Sequence, residues 1–309
     1  MTVNFTRNIN KVIALYPGVQ NYQLQLAFGA DAAAYAIAGK QYGQVITGYG
    51  FAHYNGSNKS ELGQKVIANA PNGTTGGYMT YERASDYAPG GQDTLGTIMP
   101  TFLWGTQQTF TYKSFFLSVQ IDSKVGGLMA SATDQYGSET GSLKNSLHGR
   151  NAALGGLAFT DGSGNQRNDG IIPNGVFADG TTIGGTNVGG ETYAQAVKNG
   201  VVTPVPAYAY YENLYQWSSG IRAQSIFDNS WIALRQVSVG YNLSPSLIKP
   251  LHLQGLRVSL TGRNLTYLWR TAKDGINPEG LYNNQASSFA EGGGLPFIRS
   301  MGASVNASF

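Results

Sequence analysis

Four features of this 309-residue chain could carry chemistry: three histidines, an acidic turn, a glycine–lysine pair and a run of tyrosines. His53, His148 and His252 stand at no metal-ligand spacing and read as ordinary loop or turn histidines. With no cysteine in the chain, disulfides and thiolate metal sites are excluded. Gly39-Lys40-Gln41 lacks the hydroxyl residue and the upstream glycine of a phosphate-cradling loop, and no nucleophile elbow occurs. Asp161–Asp169 (DGSGNQRND) places Asp, Ser and Asn at the first, third and fifth positions of a calcium-type loop. Gln166 and Ile172 stand where that loop needs glycine and a bidentate glutamate, so a plain Gly/Asn/Asp turn is expected. Pro206–Trp217 (PAYAYYENLYQW) gathers Tyr208, Tyr210, Tyr211, Tyr215 and Trp217, rings that could stack on a sugar or peptide ligand or fold the segment onto itself. No enzyme and no cofactor are expected.

The composition points to the elements that must position such a ligand face. Charged residues are 12% of the chain, about half the usual share, while aromatics are also 12%. Abundant aromatics with little charge argue against disorder, and a net charge of +3 is too small for a nucleic-acid footprint. No run of about 18 apolar residues occurs, so no transmembrane helix is available. The stretch after Met1 (TVNFTRNINK) lacks the basic segment and apolar core of a signal peptide.

Helical period is scarce, Tyr193–Lys198 (YAQAVK) being the best candidate. Alternation at period two dominates instead. In the last segment Phe297, Met301, Ala303, Val305, Ala307 and Phe309 share one face, against Ser300, Gly302, Ser304, Asn306 and Ser308. Gly255–Leu265, Trp231–Asn242 and Phe115–Asp122 repeat the pattern. Thr101–Tyr112 and Gln41–Phe51 do so less cleanly, and Thr2–Asn8 is a short seventh strand. Most have the length of a tilted membrane-crossing β-strand. Their second face is small and polar, as a wet lumen requires.

Period alone does not separate a membrane barrel from a soluble sandwich, but connection lengths do. Strands three and four meet at Tyr112-Lys113-Ser114, and five and six join through Leu243–Gln254. About 50, 108 and 31 residues separate strands two from three, four from five and six from seven. Short turns at one end and long loops at the other describe an outer-membrane barrel. Seven strands would leave two open edges in lipid, so a larger barrel is implied.

Several stretches resemble the C-terminal third of SusC/RagA-like TonB-dependent outer-membrane transporters. The strongest is Ser230–Leu265 (SWIALRQVSVGYNLSPSLIKPLHLQGLRVSLTGRNL), similar to the family's strand–turn–strand. Asn4–Gly18 resembles its strand and periplasmic turn, Gly39–Phe51 its glycine-lysine-x-tyrosine-glycine strand, and Asp169–Thr181 a segment of its long loop. The terminal strand ending at Phe309 resembles the family's last. The resemblance implies that residues 1–309 are an all-β, antiparallel transmembrane β-barrel segment, about the last seven strands (16 to 22) of 22, with long extracellular loops. It places the signal peptide, TonB box and plug domain outside these residues. It further implies uptake of an oligosaccharide or peptide in the bacterial outer membrane, with a SusD-like surface lipoprotein and the TonB-ExbB-ExbD complex as partners. Phe309 becomes the signal read by the assembly machinery. Trp104, Tyr112, Trp231, Tyr241 and Trp269, near strand ends, become the aromatic girdle at the lipid boundary. The alternatives are a soluble secreted β-sandwich that binds glycans and a lyase on a parallel β-helix. The second would need a fixed repeat and a carboxylate or histidine cluster, neither of which is found.

Overall fold

A computed structural model describes residues 1–68, 80–88 and 90–309. Its framework is one six-stranded antiparallel sheet: β1 (Thr2–Thr6), β2 (Phe102–Tyr112), β3 (Phe115–Val125), β4 (Trp231–Asn242), β5 (Gly255–Arg270) and β6 (Ser300–Ser308), paired in that order. β2 and β3 are joined by Lys113-Ser114, and β4 and β5 by residues 243–254. The three long connections, residues 7–101, 126–230 and 271–299, all leave from the opposite end. The segregation of short and long connections expected from the sequence is therefore present.

Registered neighbours show what each face carries. Tyr112, Phe115, Tyr241 and Val258 lie in one cross-strand row, and Phe110, Leu117, Val239, Leu260 and Ala303 in another. Val3, Phe5, Phe110, Val239, Leu260, Met301 and Val305 on this face are all exposed, with no second sheet packed over them among the described residues. A soluble sandwich buries this face. The other face is a mosaic of Thr109, Ser118, Ser238, Thr261 and Gly302 beside Thr111, Phe116, Gly240, Ser259 and Ser304.

Two expectations about the first hundred residues are corrected. Gln41–Phe51 is not a strand of the main sheet; only Gln44–Thr47 is extended. It lies in a separate four-stranded sheet with Asn21–Ala27, Ala32–Ile37 and Asp93–Thr97. Gly43 at φ +78° breaks the segment before Gln44, and Val45 turns into a core with Ala32, Ala34, Ile98 and Phe289. β1 instead pairs directly with β2, so the residues after Thr6 leave at the long-connection end and not through a short turn. The expected helix at Tyr193–Lys198 is present, closed by a capping box between Thr192 and Gln195.

The long connections pack on one another around two apolar clusters. One holds Phe51, Ile67, Tyr81, Phe177, Tyr193, Tyr211 and Tyr215, and the other centres on Val45, Ile98 and Phe289. Ion pairs cross between connections: Arg222, 1% exposed, donates to Asp31 at 2.7 Å, and Lys273 donates to fully buried Asp134 at 2.5 Å. Asp134 also accepts from Asn145 (2.9 Å) and Ser225 (2.9 Å), so the buried carboxylate is ringed by donors. Among the described residues, no helix is long and apolar enough to cross a membrane.

Candidate functional site

Two surfaces carry polar chemistry: the polar face of the main sheet, and a cleft in the packed connections. On the sheet, hydroxyls pair across strands, Ser238 Oγ with Thr261 Oγ1 at 2.8 Å and Ser259 Oγ with Ser304 Oγ at 2.7 Å. Gly240 leaves the gap that the Phe116 ring fills, since a Cβ there would sit 2.1 Å from the ring. The Arg257 guanidinium lies over the same ring at 5.0 Å and donates through Nε to Asn242 Oδ1 at 2.7 Å. Arg263 repeats the arrangement, donating through Nε to Gln236 Oε1 at 3.3 Å.

Arg235 stands at a bulge, where Leu234 pairs with Ile121 but Gln236 pairs with Gln120. A bulge re-aims its side chain, and Arg235 donates on this face to Asp122 (3.1 Å) and Glu279 (2.8 and 2.5 Å). Tyr267 donates to Glu279 at 2.8 Å and packs on Phe297 at 4.5 Å, so residues 271–299 fold back onto the sheet. These arginines were not singled out in the sequence; Arg257 and Arg263 alternate onto the polar face of β5, whereas Arg235, counted by twos, falls with Val237 and Tyr241 and reaches the polar face only through the bulge.

The bulge also corrects one girdle residue. Counted by twos, Trp231 shares the face of Val237 and Tyr241. The bulge inverts that parity, and Trp231 opposes Lys124 and Arg270 on the polar face, buried with Arg235 4.7 Å from its ring. Tyr112, Tyr241, Trp104 and Trp269 lie on the apolar face. Phe115 meets Tyr241 edge-on at 4.7 Å at one end, and Phe5 stacks on Phe102 at 5.5 Å at the other. Trp104 to Tyr112 spans about 26 Å of strand, or about 20 Å of height at a tilt of about 40°. Phe309, one residue beyond β6, is 83% exposed.

The tyrosine run folds as a helix, α2 (Ala207–Tyr215), which packs against α1 (Ala132–Glu139). A helix splits the run by face. Tyr211 (9% exposed) and Tyr215 (3%) enter the core, and Tyr210 is half-buried with its ring edge-on to Tyr211 at 5.2 Å. Burial pushes the Tyr211 and Tyr215 phenols up from near 10 to about 12. Tyr208 (64% exposed) and Trp217 (66%) remain outside. A cleft of about 340 Å³ between the helices is lined by Tyr208, Tyr211, Glu139, Glu212, Arg150 and Asp169, among others. Arg167 pairs with Asp169 at 2.5 Å and reaches over the Tyr208 ring at 5.6 Å. Burial raises the Glu139 carboxyl above its ordinary value, partly countered by the Trp217 N–H it accepts at 3.4 Å. Nothing in the sequence marked Glu139 or Arg150, which lie far from α2 along the chain.

The remaining candidates are structural. Asp161 accepts the backbone N–H groups of Ser163 (3.0 Å) and Asn165 (2.9 Å), so its carboxylate closes its own turn. Gly39 turns the chain between Ile37 and Lys40. His53 hydrogen-bonds the Gly63 carbonyl at 2.9 Å, and His252, at φ +59°, ends the turn before β5. Among the described residues, no group of three His, Asp or Glu is placed to hold a metal.

The framework is thus an antiparallel sheet with one bare apolar face, one polar face and all long connections at one end. Known proteins share this fold and part of this sequence. A 95-residue stretch is 34% identical to TonB-dependent receptor P3 of Formosa agariphila, covering 29% of this chain and 9% of that protein. In three dimensions the chain is similar to the RagAB peptide importer in its open-open state (TM-score 0.52, 16% identity). It is also similar to a second RagAB peptide transporter structure (TM-score 0.51, 15% identity). Each superposition covers 99% of this chain and 26% of the other. The chain thus spans about a quarter of the length of those solved chains. No family model matches it. The resemblance to SusC/RagA-like TonB-dependent transporters read from the motifs is shown by these likenesses. The relatives are named as receptors and importers, not as enzymes.

Proposed function

We propose that residues 1–309 form the C-terminal wall and outer loops of a TonB-dependent transporter barrel in the bacterial outer membrane. The observation that carries this reading is the bare apolar face of the six-stranded sheet, whose exposed Val3, Phe5, Phe110, Leu260 and Met301 suit lipid. β1 and β6 are its open edges among the described residues, and open edges are not tolerated in hydrocarbon, so further strands close the barrel. In the 22-strand frame, these six would be the last six. Trp104, Tyr112, Tyr241 and Trp269 set the depth in the bilayer, and Phe309 serves the assembly machinery.

On this reading the packed connections lie outside the cell, beneath a SusD-like surface lipoprotein, and the TonB-ExbB-ExbD complex energises uptake from the periplasmic side. The substrate is an oligosaccharide or a peptide. Tyr208, which lines the cleft, and Trp217, just beyond α2, are the two rings of the aromatic run left exposed and are the ligand contacts proposed.

Fractionation of native cells tests the reading, using an antibody to the segment 297–309. An outer-membrane band at about three to four times the 32.9 kDa of this chain, shifting in mobility on heating, is the expected result. A soluble band at the mass of this chain would overturn it in favour of the secreted sandwich.

A further inference from the structure

The cleft between α1 and α2 holds more negative charge than its own cations balance. Glu139, Asp169 and Glu212 line it together with a single cation, Arg150. Asp169 is taken by Arg167, which donates to both carboxylate oxygens at 2.9 and 2.5 Å. Arg150 directs its guanidinium at neutral oxygens: the Ser146 carbonyl at 2.9 Å, the Gly141 carbonyl at 2.6 Å and Ser146 Oγ at 2.9 Å. Glu139 and Glu212 enter no ion pair among the described residues. Two arginines against three carboxylates leave one negative charge uncompensated. Glu139 registers that excess: burial raises its carboxyl above the ordinary value and the Glu212 charge adds to this, against the Trp217 N–H and Arg222.

Tyr211 meets the same space with an open hydroxyl. Its side chain is only 9% exposed and lines the cleft, yet the hydroxyl makes no hydrogen bond among the described residues. The Arg150 charge acts on this phenol, which puts the hydroxyl on the cleft side of the ring. A phenol buried this deeply normally finds a partner in its own protein. An open one calls for a partner that arrives.

An ammonium has three N–H donors and no acceptor, and the cleft offers three acceptors with one negative charge in surplus. A metal ion fits less well, since no group of three His, Asp or Glu is placed to hold one among the described residues. A neutral sugar would hydrogen-bond the same atoms and leave the charge uncancelled. Beside the carboxylates, the exposed Tyr208 ring gives an alkyl stem a surface to lie on.

We propose that the cleft binds a primary ammonium group of the transported solute, held by Glu139, Glu212 and the Tyr211 hydroxyl. The group belongs to a lysyl peptide or to an amino sugar. This deepens the ligand surface proposed at Tyr208 and Trp217, and it rests on that reading.

The test is fluorescence anisotropy on the intact protein purified from outer membranes. The probes are tetralysine, capped at its amino terminus with a fluorophore, and the same peptide acetylated at every Nε. The lysine probe is expected to bind about tenfold tighter or more than the acetylated one. Glu139→Gln/Glu212→Gln should remove that difference, and Tyr211→Phe, which keeps the ring, should reduce it. Asp86→Asn/Asp274→Asn removes two exposed carboxylates outside the cleft and should leave it intact. Displacement of the lysine probe by a glucosamine tetramer would extend the site to amino sugars, and no displacement would restrict it to peptides. Equal binding of the two probes, no binding of either, or an equal loss in the outside variant would overturn the proposal. Lysine binding lost in the carboxylate variant but untouched in Tyr208→Ala/Trp217→Ala would keep the ammonium site and fail the ring surface alone.

Discussion

Arg235 and Glu279 meet as a two-pronged pair across 44 residues of chain, Nη1 to Oε2 at 2.8 Å and Nη2 to Oε1 at 2.5 Å. One belongs to a bulge in the wall and the other to the last long connection, so the pair ties that connection to the sheet. Asp122 and Tyr267 complete the cluster. A double-mutant cycle of Arg235→Gln and Glu279→Gln is expected to give a coupling of about 0.5–3 kcal/mol in unfolding of the native protein. Limited proteolysis should open residues 271–299 first in either single variant. A coupling of zero would mean that Phe297 packed on Tyr267 holds the connection without the ion pair.

Gly240 and Phe116 make a second dependent pair, on the wall itself. A Cβ at Gly240 would meet the Phe116 ring at 2.1 Å, and that ring carries Arg257. Gly240→Ala is expected to destabilise the folded protein by about 1–3 kcal/mol through overpacking. Gly240→Ala combined with Phe116→Ala should recover part of that loss, because the clash is gone. The folded fraction on semi-native gels reads both, and an unaffected single variant would show that the ring moves aside freely.

What the sequence made legible was the part governed by strict alternation. β2, β3, β4, β5 and β6 could be read by twos because their apolar face has one environment along its whole length. Trp231 was misplaced because a bulge at Arg235 shifts every residue before it to the other face, and no residue type announces a bulge. The hairpin Asn21–Ile37 escaped notice because its second strand, Ala32–Ile37, is built on alanine, which has strand geometry here only because small side chains fit a tight core. Gln44–Thr47 alternates correctly yet belongs to another sheet, since period fixes a strand and not its neighbour. The cleft was legible from one side only: the tyrosine run marked α2, while Glu139 and Arg150 reach it through folding of the long connection.

The split of the tyrosine run gives opposite expectations for neighbouring residues. Tyr208→Ala and Trp217→Ala remove exposed rings and should change stability by no more than about 0.5 kcal/mol, while weakening uptake or binding of the transported solute. Tyr211→Ala and Tyr215→Ala empty core positions and should cost about 3–5 kcal/mol. Thermal unfolding set beside uptake in whole cells separates the two classes. Uptake unchanged in Tyr208→Ala/Trp217→Ala would remove both residues from the ligand surface.

The same buried phenols set an alkaline limit. Tyr211 and Tyr215 titrate near 10 when solvated and at about 12 in the folded protein, because burial disfavours the phenolate; at Tyr215 the Asp134 carboxylate adds to this. A raised pKa means that the folded state favours the protonated form. The stability these groups contribute is therefore complete below pH 10 and is lost as pH rises towards 12. Packing of the loops should weaken across that window as the buried pair ionises, which tyrosinate absorbance follows. Tyr215→Phe keeps the ring and removes one titration, so its loops should hold to higher pH than those of the unsubstituted protein. Identical alkaline profiles for the two proteins would show that another group governs the loss.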